Sequence, residues 1–202
     1  MRTLLALLTA GVVFFPGIAL AFEDVDSRAV ERLLQKEVLD ESKHFFPEVP
    51  CTRAQYIEWV LRNMNEDVSG ERIREPFIDV DAAADFAPFV GRAWQLGVAE
   101  GIYFRPQDAV TRIEALRIAL QLEGVTIPKA GFESYGYLDF PENAADRGTI
   151  HKALELGIIQ PVEDKLFGTN SPMNRLECAQ LIDAVSLSRR SEQQIHIEIG
   201  GS

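Results

Sequence analysis

The chain has 202 residues, with 31 acidic and 20 basic side chains and a net charge of −11. That balance argues against nucleic acid as a partner, and against adhesion to anionic lipid by charge alone. The three histidines, His44, His151 and His196, lie far apart and lack metal-ligand spacing, so no metal or cofactor is expected. No Gly-x-Ser-x-Gly, Walker loop or dinucleotide fingerprint is present, and the chain reads as non-catalytic.

In chain order, residues 1–21 have the make-up of a secretory signal. Arg2 precedes an apolar run from Leu4 to Phe15, and a Pro16-Gly17 break leads to Ala19-Leu20-Ala21. The run is short for a bilayer span, and Ala-x-Ala is a cleavage pattern. Export is therefore expected, to the cell wall, cell surface or periplasm. Cleavage removes Arg2, brings the net charge to −12 and leaves no segment able to cross a membrane.

Residues 22–66 form a first unit. Asp26 is placed to cap a helix over Ala29–Val38, with Val30, Leu33 and Leu34 inward; a second helix runs from Arg53 to Met64. Asn65 to Gly70 is a polar linker. A second unit, 77–122, has Pro88 in the first turn of its first helix and Gly97 at that helix's end. Its second helix presents Ile113, Leu116 and Leu120 on one face, and Trp94 is expected in the core. Gly124 to Gly136 connects it to a third unit, 137–187, whose last helix carries Leu176, Leu181, Ile182 and Val185. A tail, 188–202, contains Ile195-His196-Ile197-Glu198-Ile199, which alternates like a strand and is expected to be docked or frayed.

The three units share a pattern. Phe22-Glu23-Asp24, Phe77-Ile78-Asp79 and Tyr137-Leu138-Asp139 open them. Gly97 and Gly157 each follow the opening Asp by eighteen residues; in the first unit Glu37 and Glu41 stand where Gly97 and Gly101 stand in the second. Phe45, Phe104 and Phe167 each precede by seven residues a box: Thr52-Arg53-Ala54-Gln55, Thr111-Arg112-Ile113-Glu114 and Asn174-Arg175-Leu176-Glu177. Each box has capping chemistry, with an Arg where the helix dipole disfavours a cation by about 0.3–1 kcal/mol. Accepting that three times indicates another task for the arginines, such as holding an anion. Asp79-Val80-Asp81 with Asp85 hints at calcium but lacks the glycine and distal Glu of an EF-hand, so capping is the better reading.

This order of aromatic-x-Asp, helix, Leu-Gly-Val/Ile, Phe-x-Pro and Thr-Arg-x-Glu resembles the S-layer homology (SLH) family, in three tandem repeats with the first degenerate. The resemblance implies a mainly α fold in which three helix-loop-helix units form one pseudo-threefold trefoil with grooves between neighbours. It implies noncovalent anchoring in the envelope, by binding an anionic secondary wall polymer or peptidoglycan in those grooves. The implied ligand residues are Arg112, Arg175 and Arg53, with Asp79, Asp139, Glu114, Glu177 and Gly101 around them. A guanidinium fork and free helix-end N–H groups both suit a carboxylate. The competing reading is a structural or protein-interaction subunit of the envelope that has lost glycan binding. Cys51 and Cys178 flank equivalent helix starts; they are either a disulfide pair, if the units pack around a threefold axis, or two small buried side chains beside their caps.

Overall fold

The structure, a computed structural model, describes residues 22–69, 77–129 and 135–200, the last nine by backbone alone. The 1–21 signal and parts of both connections lie outside the described residues. Six helices follow one another: α1 (Arg28–Gln35), α2 (Arg53–Asn63), α3 (Ala87–Gln95), α4 (Arg112–Leu122), α5 (Ala144–Glu155) and α6 (Arg175–Gly200). Among the described residues there is no strand, only isolated bridges, so the fold is mainly α as expected.

Helix ends follow local chemistry. The first helices close in the same way: Glu37, Gly97 and Gly157 have φ of 59°, 72° and 65°. Their N–H groups reach the Leu34, Trp94 and Leu154 carbonyls, and the next N–H reaches one residue further back in each case. Glu37 thus occupies the left-handed position that glycine takes in the other two units, with a Cβ penalty. Replacing Glu37 with Gly should raise stability by about 0.5–1 kcal/mol, read as a higher urea midpoint at unchanged m. α1 is shorter than expected because of this stop, and its N-cap is Ser27 rather than Asp26.

Two expectations fail. The 195–199 segment is not a strand or a separate tail: α6 runs unbroken to Gly200. No Gly or Pro interrupts 175–199, so the helix satisfies its own backbone where a lone strand would have none to pair with. Trp94 is 43% exposed, on the outer face of α3, while Val90 and Ala93 take the core face.

The core is built around Phe45, Phe104 and Phe167, all essentially buried. Each touches the opening aromatic of its own unit: Phe22–Phe45 at 5.3 Å, Phe77–Phe104 at 5.5 Å and Tyr137–Phe167 at 5.9 Å between ring centres. Burying each such ring contributes about 1.5–3 kcal/mol. Between units the backbone forms a closed cycle. Cys51 N–H donates to Met173, Met173 N–H to Val110, and Val110 N–H to Cys51, at 2.9–3.0 Å. Residues 22–64 therefore supply one of the three links of this ring, just before α2, as the other two lie just before α4 and α6.

Candidate functional site

The helix starts carry the expected caps. Asn174 and Glu177 exchange two 2.8 Å hydrogen bonds. Thr111 N–H donates to Glu114 at 3.0 Å and the Thr111 hydroxyl accepts from Glu114 N–H at 3.5 Å. The Thr52 hydroxyl accepts from Gln55 N–H at 3.2 Å. The next amides are not free. Arg53 and Ala54 donate to Asp108 and Pro106; Arg112 and Ile113 donate to Ser171 and Thr169; Arg175 and Leu176 donate to Val49 and Pro47. Each helix start is closed by the loop of the following unit, with the third closing on the first. The backbone anion site expected at these termini is thus consumed, and only the guanidinium groups remain to meet an anion.

The three arginines differ. Arg53 Nε donates to the Phe104 carbonyl at 2.9 Å, its plane lies 5.2 Å from the Phe104 ring, and Nη1 pairs with Glu114 at 2.9 Å. Arg175 Nε donates to the Phe45 carbonyl at 2.7 Å and its guanidinium stacks 4.9 Å from both Phe45 and Trp59. Arg112 breaks the pattern. It lies 5.3 Å from the Phe167 ring, but bonds the Gln160 carbonyl through Nη2, and its buried Nε has no partner. It is 8% exposed, and among the described residues neither Arg112 nor Arg175 has a carboxylate ion pair. Burial lowers the pKa of all three; the charges of Glu114 at Arg53, of Glu177 and Asp139 at Arg112, and of Asp24 at Arg175 oppose that effect. All stay cationic at neutral pH.

Arg112 lines a cleft of about 360 Å³ with Gln160, Met173, Glu177 and Gln180. Arg175 lines one of about 300 Å³ with His44, Phe46, Gln55, Trp59 and Asp40. The second is aromatic, with Phe46 exposed. Arg53 lines neither cleft.

The remaining expected residues are placed as follows. Asp79 and Asp139 are clamps on their own loops. The Asp79 carboxylate accepts from Phe104 and Arg105 N–H at 2.8 and 2.7 Å; Asp139 accepts from Phe167, Gly168 and Thr169, each at 2.8 Å. Asp24 does the same for Phe45 and Phe46. The donors lie 21–30 residues away in sequence, so spacing gave no sign of this role. Glu114, also expected at the ligand, is taken by its cap, by Arg53 and by Arg105. Glu177 both caps α6 and faces the Arg112 cleft. Gly101 is exposed with φ of 95°, in open space. Trp59 and Arg105 were missed: Trp59 meets Arg175 from the far end of the chain, whereas Arg105 pairs inside its own unit with Asp108 and Glu114. The cysteines are free thiols, both fully buried.

Partial desolvation raises the pKa of each clamp Asp, and the backbone N–H bonds outweigh it, so all three end below the usual carboxylate value. With the folded pKa depressed, their stabilisation is present above about pH 4 and is lost as pH falls through the folded value. Asp139→Asn should cost about 2 kcal/mol at pH 7, with the gap to wild type narrowing as pH falls below about 4 in urea unfolding.

Among the described residues no helix is long and apolar enough to cross a membrane, and no group of His, Cys, Asp and Glu could hold a metal ion. Fold and site together define a helical repeat protein whose units interlock through arginines at capped helix starts. Residues 76–116 and 136–179 match the family profile of the S-layer homology domain. That domain implies association with the cell surface or cell wall. No curated protein matches the chain.

Proposed function

We propose that this chain is a non-catalytic envelope anchor, exported through its 1–21 signal, that binds an acidic wall glycan in the Arg112 and Arg175 clefts. Residues 22–66 act as a third, degenerate unit closing a trefoil. The observation carrying this reading is the pair of partly desolvated guanidinium groups that border clefts with, among the described residues, no direct carboxylate ion pair, although Glu177 and Asp40 stand on the two linings. A partly buried cation with no direct ion pair keeps donor capacity that an anionic ligand can use. The exposed ring of Phe46 suits the apolar side of a sugar ring. A secondary wall polymer bearing carboxylates is the favoured ligand, with peptidoglycan second.

Co-sedimentation with sacculi from the source cells, intact and acid-stripped of secondary polymer, tests this. Binding to intact sacculi alone is the expected result. Binding that survives stripping moves the ligand to peptidoglycan. A second reading, a protein-interaction subunit, is favoured by Arg53, whose charge is already spent on Glu114, and by exposed Ile78, Ile102 and Tyr103 beside it in the second unit. Folded protein that binds neither preparation would select it.

A further inference from the structure

We propose that Cys51 and Cys178 form a disulfide that covalently closes the first unit onto the third. The segment before Cys51 docks on the start of α6: Pro50 and Asn174 form an antiparallel bridge, Cys51 N–H donates to Met173 at 3.0 Å, and Arg175 N–H donates to Val49 at 2.9 Å. Cys178 lies one turn into α6, its N–H on the Asn174 carbonyl. A side chain there points back toward the helix start, over the docked segment. The Cys51 thiol donates to the Thr52 carbonyl at 3.8 Å, and after burial Cys51 is the neighbour that raises the Cys178 pKa most. Tyr56 and Ala115, at the position of Cys178 in the other two boxes, are joined by a 2.9 Å bond from the Tyr56 hydroxyl to the Ala115 carbonyl. The thiols thus fill the same buried layer, where two small side chains suffice beside one large one.

Chemistry and topology agree. Each partner comes from a different end of the chain, so the bond would close a loop running from 51 to 178, the long-loop case in which a cross-link restricts the unfolded chain most. Burial pushes the Cys178 thiol well above its ordinary pKa, so the thiolate is scarce in the folded state. Exchange therefore takes place on the folding or locally open chain. A thiolate of one cysteine attacks a small-molecule or protein disulfide and releases one thiol. The second cysteine's thiolate then attacks the mixed disulfide, forming Cys51–Cys178 and releasing the second thiol; the two cysteine protons end on the two released thiols and the donor disulfide is reduced. Once formed, the bond is shielded from reductant by the same burial. Export to an oxidising space supplies the donor.

The test uses the full chain, refolded from the reduced state with glutathione disulfide, then acid-quenched, alkylated and weighed. The expected product is a monomer lighter by two hydrogens, with no alkylated cysteine, melting about 10 °C above the reduced chain. The Cys51→Ser/Cys178→Ser variant should melt like the reduced chain and ignore the oxidant. Two glutathione adducts, linked dimers, or a cross-linked monomer that melts no higher than the reduced chain would overturn the proposal.

Discussion

Arg112→Met should leave the melting temperature within about 3 °C of wild type and lower affinity for the proposed wall polymer at least about tenfold. Most buried arginines do the opposite when removed, because they leave a carboxylate stranded. Among the described residues Arg112 has no direct ion pair to strand, and Glu177 and Asp139 act on it only at longer range. Its removal gives up a bond to the Gln160 carbonyl, on an exposed residue that water can reach, and a contact with Phe167 worth about 1 kcal/mol. Against this, the desolvation of a guanidinium with an unpartnered Nε is relieved, and the Met side chain fills similar space. The loss falls on the ligand, where a charge-assisted hydrogen bond contributes about 1.5–3 kcal/mol, or about ten- to a hundredfold. Differential scanning fluorimetry and titration with solubilised polymer read the two quantities separately. Arg53→Met provides the contrast: it withdraws the 2.9 Å partner of half-buried Glu114 and should cost about 1–2 kcal/mol, Arg105 remaining to offset the rest.

Gly148→Ala should destabilise by about 2–3 kcal/mol, lowering the melting temperature by about 5–10 °C. Alanine is the better helix former by about 1 kcal/mol, so propensity alone predicts the reverse sign. The contact decides. Gly148 sits in α5 under the segment that leads from the second unit into the third, and a Cβ there would meet the Pro128 carbonyl oxygen at 2.1 Å and Ile127 Cγ2 at 3.1 Å. The obstructing atom is backbone, so no rotamer change relieves it; α5 or the 127–128 segment must move. Thr149 and Ile150, both buried on the same stretch, oppose that movement. Equal or higher stability in the alanine variant would show that this approach is looser than described.

What the sequence disclosed follows from range. Caps such as Asn174–Glu177 and stops such as Gly97 depend on residues three or four apart, so their chemistry is legible in order and spacing alone. Glu37 was legible too, as the misfit at a glycine position, and the backbone there adopts the glycine conformation. The Asp clamps were not, because their donors lie in the opposite loop of the unit. Nor was the division of labour among the arginines. Arg53 and Arg112 have the same local motif, and only the neighbouring loop decides their state: Glu114 turns back on Arg53, whereas the longer loop through Pro161 presents Gln160 to Arg112. The Ile-x-Ile-x-Ile run misled because alternation was weighed without asking whether any helix breaker separated it from α6. Trp94 misled because size was taken for burial.

The most direct measurement is a calorimetric titration of the solubilised wall polymer into four folded proteins: wild type, Arg53→Met, Arg112→Met and Arg175→Met. The clefts predict affinity lost about tenfold or more at Arg112 and at Arg175, and retained at Arg53. Full affinity in a variant lacking both Arg112 and Arg175, or a loss at Arg53 equal to theirs, would contradict binding through these two clefts.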